Sequence, residues 1–134
     1  MADINFTENS IKPGANAQKQ RGTFGGTITQ GMPVYLITAT NRWGIGDCET
    51  SATTAAIVGI ALTAGVNGQP GIIQTAGNLT CDNVVAGETY ILSAAGGVCP
   101  ISDVATNDYV TIIGVATSTT NIRLGILASG TKHA

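Results

Sequence analysis

The apolar residues of this chain come in short runs that alternate with small or polar residues. Val58, Ile60 and Leu62 alternate with Gly59, Ala61 and Thr63. Tyr109, Thr111, Ile113, Val115 and Thr117 share one parity; Val110, Ile112, Gly114 and Ala116 share the other. Ile122, Leu124 and Ile126 continue the pattern. A period of two marks a strand with one buried face. Further strands are predicted at Val34–Ile37 after Gly31-Met32-Pro33, at Gly71–Thr75, at Leu79–Cys81, at Thr89–Ser93 and at Val98-Cys99. Asn41-Arg42-Trp43-Gly44 is expected to close the first hairpin, with Ile45 to Asp47 returning, and Asn67-Gly68 to turn a later one. Only Ser51–Ala56 reads as helix, a single turn with Ser51 as N-cap. Turn signals at roughly ten-residue spacing predict an all-β fold. The expected architecture is a small β-barrel or β-sandwich of short strands and hairpins, with at most one short helix.

One phrase occurs twice. Ile57-Val58-Gly59-Ile60-Ala61 returns as Ile112-Ile113-Gly114-Val115-Ala116, and each copy leads through a polar turn to a glycine-led run, Gly71-Ile72-Ile73 and Gly125-Ile126-Leu127. Each ends at a further glycine, Gly77 and Gly130. Two β-hairpins are predicted, with Val58, Ile60, Leu62, Ile113, Val115, Ile122, Leu124 and Ile126 pointing into the core.

Residues 1–22 differ. They are polar, carry Lys12-Pro13-Gly14 and Asn16-Ala17-Gln18-Lys19-Gln20-Arg21, and show no sustained period. Such a segment has too little apolar area to fold alone. An extended N-terminal arm over 1–22 is expected, mobile when free, followed by a β-rich body over 23–134. Ile4, Phe6 and Ile11 are its candidate apolar anchors on a neighbour, and Lys12, Lys19 and Arg21 its charged contacts.

Composition sharpens this picture. Charged residues make up only 10% of the 134, aromatic residues 4%, and there are 18 glycines. So few charges suit a chain whose surface is covered by copies of itself or by a partner. Lys and Arg are absent between Trp43 and Ile122, where Asp47, Glu49, Asp82, Glu88, Asp103 and Asp108 all fall. A basic head on an acidic body can register like copies or dock on an oppositely charged lattice. No basic stripe for nucleic acid is present. No apolar run is long enough to cross a membrane as a helix. The N-terminus lacks the charged and apolar regions of a signal peptide, so synthesis in a reducing cytoplasm is expected.

Candidate chemistry is sparse. The single histidine, His133, is penultimate, where a frayed tail is expected. Cys48, Cys81 and Cys99 are widely spaced, form no C-x-x-C pair and are expected to be small buried hydrophobes. Gly44-Ile45-Gly46-Asp47 lacks the third glycine of a dinucleotide fingerprint and is read as a turn. Asp103 and Asp108 are expected to cap a turn rather than hold calcium. Neither metal, cofactor nor catalytic residues are expected, so the chain is read as no enzyme. Trp43 is open to two readings, a core plug or a contact residue.

The strings Ala55–Leu62, Gly68-Gln69-Pro70, Gln74–Gly77, Gly87-Glu88-Thr89-Tyr90 and Asp108-Tyr109-Val110, with Gly31-Met32-Pro33-Val34-Tyr35, resemble the head decoration, or cement, proteins of tailed bacteriophages. The similarity covers about residues 27–127. It implies a β-tulip-like fold, a homotrimer, an N-terminal arm lying on the shell, and a structural role bracing the major capsid protein on the outer surface of the virion. The family offers no catalytic residues to carry over. A phage fibre or host-surface carbohydrate-binding module, using Trp43, Tyr35, Tyr90 or Tyr109, is the alternative.

Overall fold

The computed structural model describes residues 3–4, 6–7 and 10–133. The remaining positions of the expected arm, and Ala134, lie outside the described residues. Ten strands follow in order: β1 (Lys12–Pro13), β2 (Gln18–Thr23), β3 (Pro33–Ile37), β4 (Arg42–Ile45), β5 (Ile57–Ala61), β6 (Pro70–Thr80), β7 (Thr89–Leu92), β8 (Val98–Pro100), β9 (Tyr109–Ser118) and β10 (Asn121–Lys132). They form one antiparallel sheet, curled into a half-barrel, in the order β4-β3-β5-β6-β10-β9-β7-β8, with β1 and β2 also paired to β6. The one α-helix, α1 (Ala52–Ala55), sits where the sequence predicts it: the Ser51 hydroxyl accepts from the Thr54 amide and the Thr54 hydroxyl accepts from the Ser51 amide. Among the described residues no helix is long and apolar enough to cross a membrane.

The repeated phrase marks a repeated unit. In each half a hairpin comes first, the third strand pairs beside the hairpin's first strand, and the fourth pairs with the third. This gives β4-β3-β5-β6 and β8-β7-β9-β10, joined where β6 meets β10. The same irregularity occurs in both copies. Val34 faces Gly59 while Tyr35 faces Ile57; Tyr90 faces Gly114 while Ile91 faces Ile112. One extra residue, Val58 or Ile113, therefore bulges just before the glycine of each phrase. Gly77 in β6 and Gly130 in β10 both have left-handed backbone, with φ of 86° and 71°.

The bulges correct the expected core. Ile60, Leu62, Ile113, Ile122 and Leu124 are buried, but Val58 and Val115 point outward and Ile126 is half-buried. Strict alternation puts Val58 with Ile60 and Val115 with Ile113. A bulge reverses the parity between them, so Ile57 and Ile60 share the core and Val58 leaves it. A second shift in β10, where Leu124 faces Gly114 but Leu127 faces Ile112, does the same to Ile126.

Apolar side chains gather on both faces of the β3–β6 half. The larger cluster lies within the curl and contains Ile57, Ile60, Leu79, Tyr90, Leu92, Ile113 and Ile122. The smaller one contains Phe24, Ile28, Val34, Trp43, Ala61 and Ile73. Phe24 ties β2 to β4 through a bridge to Trp43, their rings 6.0 Å apart. Only glycine fits at 71, because a Cβ there would stand 2.2 Å from the Phe24 ring.

Much of the stretch placed by the sequence in an arm over 1–22 is part of this sheet, as β1 and as β2, which runs on to Thr23. Lys12 and Pro13 face Thr80 and Leu79, and Gln18–Thr23 run along Ala76–Pro70. An edge strand needs main-chain hydrogen bonds rather than an apolar face, so a polar run can join a sheet without any hydrophobic period. The first hairpin also turns earlier than expected: Gly44 and Ile45 belong to β4, and Asn41, with φ of 55°, ends the turn.

Candidate interaction surface

The residues singled out as contacts separate into three groups. Ile11 and Trp43 are buried at 3% exposure each, so the fold itself uses them and neither offers a surface. Trp43 is the core plug of its two readings. Lys12, Lys19 and Arg21 are exposed along the β1–β2 edge, where Lys19 pairs with Gln74 and Arg21 with Ile72. Ile4 and Phe6 are half-buried and line an open cleft with Gln30, Met32, Gly97 and Val98. The Ile4 amide donates to the Val98 carbonyl at 2.8 Å, and the Thr7 amide to the Asp82 carboxylate at 2.8 Å. Hydrogen bonds from the Thr7 side chain first, then from the Thr7 amide and the Ser10 side chain, hold the Asp82 carboxyl below its ordinary range. Asp3 accepts from the Ser93 hydroxyl. Asp3, Ile4 and Thr7 are thus each tied by a hydrogen bond, to the β7–β8 loop, to β8 and to the β6–β7 loop respectively.

Among the chemistry-bearing side chains, Asp47, Glu49 and Asp108 lie near Cys48. All three cysteines are buried, and no disulfide joins them. Burial pushes the Cys48 thiol up to about 12, helped by Asp108, Glu49 and Asp47; burial likewise raises Cys81 and Cys99 to about 11. That is the wrong direction for a nucleophilic thiolate. The tail is not frayed at His133: its amide donates to the Asp108 carbonyl at 2.7 Å, and its carbonyl accepts from the Asn107 amide at 2.8 Å. The Asp108 carboxylate accepts from the Ala105 amide, closing a turn, as expected from sequence. Among the described residues no group of three or more His, Cys, Asp or Glu is placed to hold a metal ion.

Trp43 and Tyr90 are buried, and the Tyr90 hydroxyl accepts from the Val85 amide. Tyr35 and Tyr109 are only partly exposed, and Tyr109 lies under the Lys132 ammonium, 5.5 Å from the ring centre. Of the four aromatic residues named for a sugar-stacking platform, two are thus buried and two partly exposed.

What the surface does present is aliphatic. Val115 is 41% exposed, Val85 64% and Leu127 63%. A shallow apolar groove follows β9 and β10, lined by Ile112, Val115, Leu124 and Gly125 and rimmed by Thr117 and Arg123. Beyond it lies a polar cleft bounded by Asn16, Gln18, Asn78 and Arg123. Its floor is rigid. The Asn121 amide donates to the Asn78 side chain at 3.0 Å and to the Thr117 hydroxyl at 2.7 Å. Sequence reasoning missed the outward Val115 because it assumed unbroken alternation. The glycine after each bulge was the only available sign.

No protein-family model matches the chain, and neither does the sequence of any curated protein.

Proposed function

We propose that this chain is a non-enzymatic structural protein that docks on a larger assembly, and that the assembly is the outer surface of a tailed-phage head. The carrying observation is the shallow groove along β9 and β10, where Val115 stands 41% exposed beside the half-buried Ile112 and the buried Leu124. Apolar surface held on a sheet is a docking feature, because it loses little conformational freedom when covered. The sequence resemblance supplies the identity of the partner, the major capsid protein. The raised thiols support a bracing role over catalysis. The burial of Trp43 and Tyr90 weighs against the carbohydrate-binding alternative.

The test is co-sedimentation of the purified protein with expanded, undecorated heads of the phage that encodes it. Val115→Asp places a charge in the groove at an exposed site. It should keep the wild-type melting temperature and lose most head binding. Undiminished binding by a folded Val115→Asp protein, or no binding by the wild type, would sink this reading.

A further inference from the structure

On the outer face of β6, β10 and β9, an unpaired cation stands beside a hydroxyl with a proton to give. Arg123 is the only Lys or Arg between Trp43 and Lys132. It lies opposite Val115 of β9 on one side and Asn78 of β6 on the other, so the three side chains share a face. It is exposed, and among the described residues no carboxylate pairs with it and no acceptor holds its guanidinium. Thr117, also exposed, supplies the hydroxyl. The Asn78 amide donates to the Ala15 carbonyl at 3.1 Å. The Asn121 amide gives one proton to the Asn78 side-chain oxygen at 3.0 Å and one to the Thr117 hydroxyl oxygen at 2.7 Å. The Ala15 carbonyl can only accept, which sets the direction of the whole relay. Thr117 therefore receives a hydrogen bond at its oxygen and keeps its own proton to donate.

Thr117 and Arg123 are the two polar side chains common to the groove along β9 and β10 and to the polar cleft beyond it. A guanidinium fork beside a hydroxyl donor matches the two oxygens of a carboxylate. One cation on a chain of net charge −2 suits a single negative group rather than a polyanion. A carboxylate held at this junction has Val115 and Gly125 on its groove side, where the following side chain would lie. We propose that Thr117 and Arg123 form a carboxylate subsite within the docking face, filled by an Asp or Glu side chain of the partner protein that an aliphatic residue follows. The carboxylate gives orientation and specificity, and the aliphatic neighbour covers Val115. This inference rests on the shell-docking reading and names what that face selects.

The experiment is co-sedimentation of the full chain with undecorated heads over a series of salt concentrations. Wild-type affinity should fall as salt rises, because salt screens an ion pair at an exposed face. Arg123→Gln should weaken binding by about tenfold or more and flatten that salt dependence. Arg123→Lys should recover part of both. Thr117→Val keeps the shape, removes the donor and should weaken binding by about threefold or more. Both sites are exposed, so melting should match the wild type. A folded Arg123→Gln protein that binds like the wild type, or keeps its salt dependence, overturns the subsite. So does wild-type binding by Thr117→Val, a result that stands even if Arg123→Gln does not fold. If Val115→Asp still loses binding in either case, the docking reading survives without the subsite. A wild type that never binds heads overturns both.

Discussion

Val58 and Ile60 stand two residues apart on β5, yet one is exposed and the other buried. A carboxylate at position 60 would lie among Ile57, Leu62 and Ile122 with no partner. Ile60→Asp should therefore destabilise by about 4 kcal/mol or more. Val58→Asp should cost about 1 kcal/mol or less, because water still reaches the site. Urea unfolding of the pair reads the bulge directly, and equal losses would mean that the parity does not reverse there. The cysteines make a second case. Their thiols titrate near 11 to 12 in the fold against 9.0 in the open chain. A raised folded-state value means that the stabilisation is complete below pH 9 and is lost as pH rises toward 11 and beyond. The urea midpoint should fall over that alkaline window, and a thiol reagent should react only as the protein unfolds. Three thiols titrating fast at neutral pH would contradict their burial.

At the scale of elements, β2 is the instructive strand. Its six residues are mostly exposed, but they run along β6 and lead into Phe24, which is fully buried. Removing residues 2–10 takes away only the outer pinned segment and should leave unfolding cooperative. Removing residues 2–21 also takes Ile11 from the core and bares one flank of β6. That deletion should lower the urea midpoint sharply and promote aggregation. Equal stability of the two truncations would return residues 11–21 to the status of a detached arm. Closure of the smaller cluster has its own probe. Gly71→Ala drives a methyl into the Phe24 ring and should cost about 1–3 kcal/mol. At Gly77 a Cβ would meet the Asn16 carbonyl, and φ of 86° adds strain for any side chain. Behind that kink the buried Gln74 amide donates to the Ala76 and Asn78 carbonyls, at 3.1 and 2.8 Å.

Over the whole molecule, two like units share one sheet, and an N-terminal segment crosses from β8 to β6. Its pinning depends on pH. The Asp82 carboxylate accepts from the Thr7 amide, and its pKa is lowered by hydrogen bonds from the Thr7 side chain first, then from that amide and the Ser10 side chain. A depressed folded-state value means that the contribution is present above the ordinary carboxylate range and is lost as pH falls through the depressed value. Proteolysis within the first ten residues should therefore quicken in acid while the body stays resistant. Asp82→Asn should bring fast cleavage to neutral pH. Cleavage that ignores both pH and the substitution would show that Ile4 and Phe6 alone hold the segment.

The sequence by itself determined the strand class, the helix capped by Ser51, both hairpins and the repeat, since alternation, glycine and capping residues act over a few neighbours. It also determined that the cysteines would be buried hydrophobes, because nothing near them in the chain could use a thiolate. Tertiary structure alone decided three matters. It placed Gln18–Thr23 in the sheet, since an edge strand is held by backbone groups that every residue carries. It turned Val58 and Val115 outward, since a bulge exists only between paired strands and one extra residue reverses every face beyond it. It ended the pairing of β10 with β6 at Leu124, since which strands lie side by side depends on how both units curl around one core.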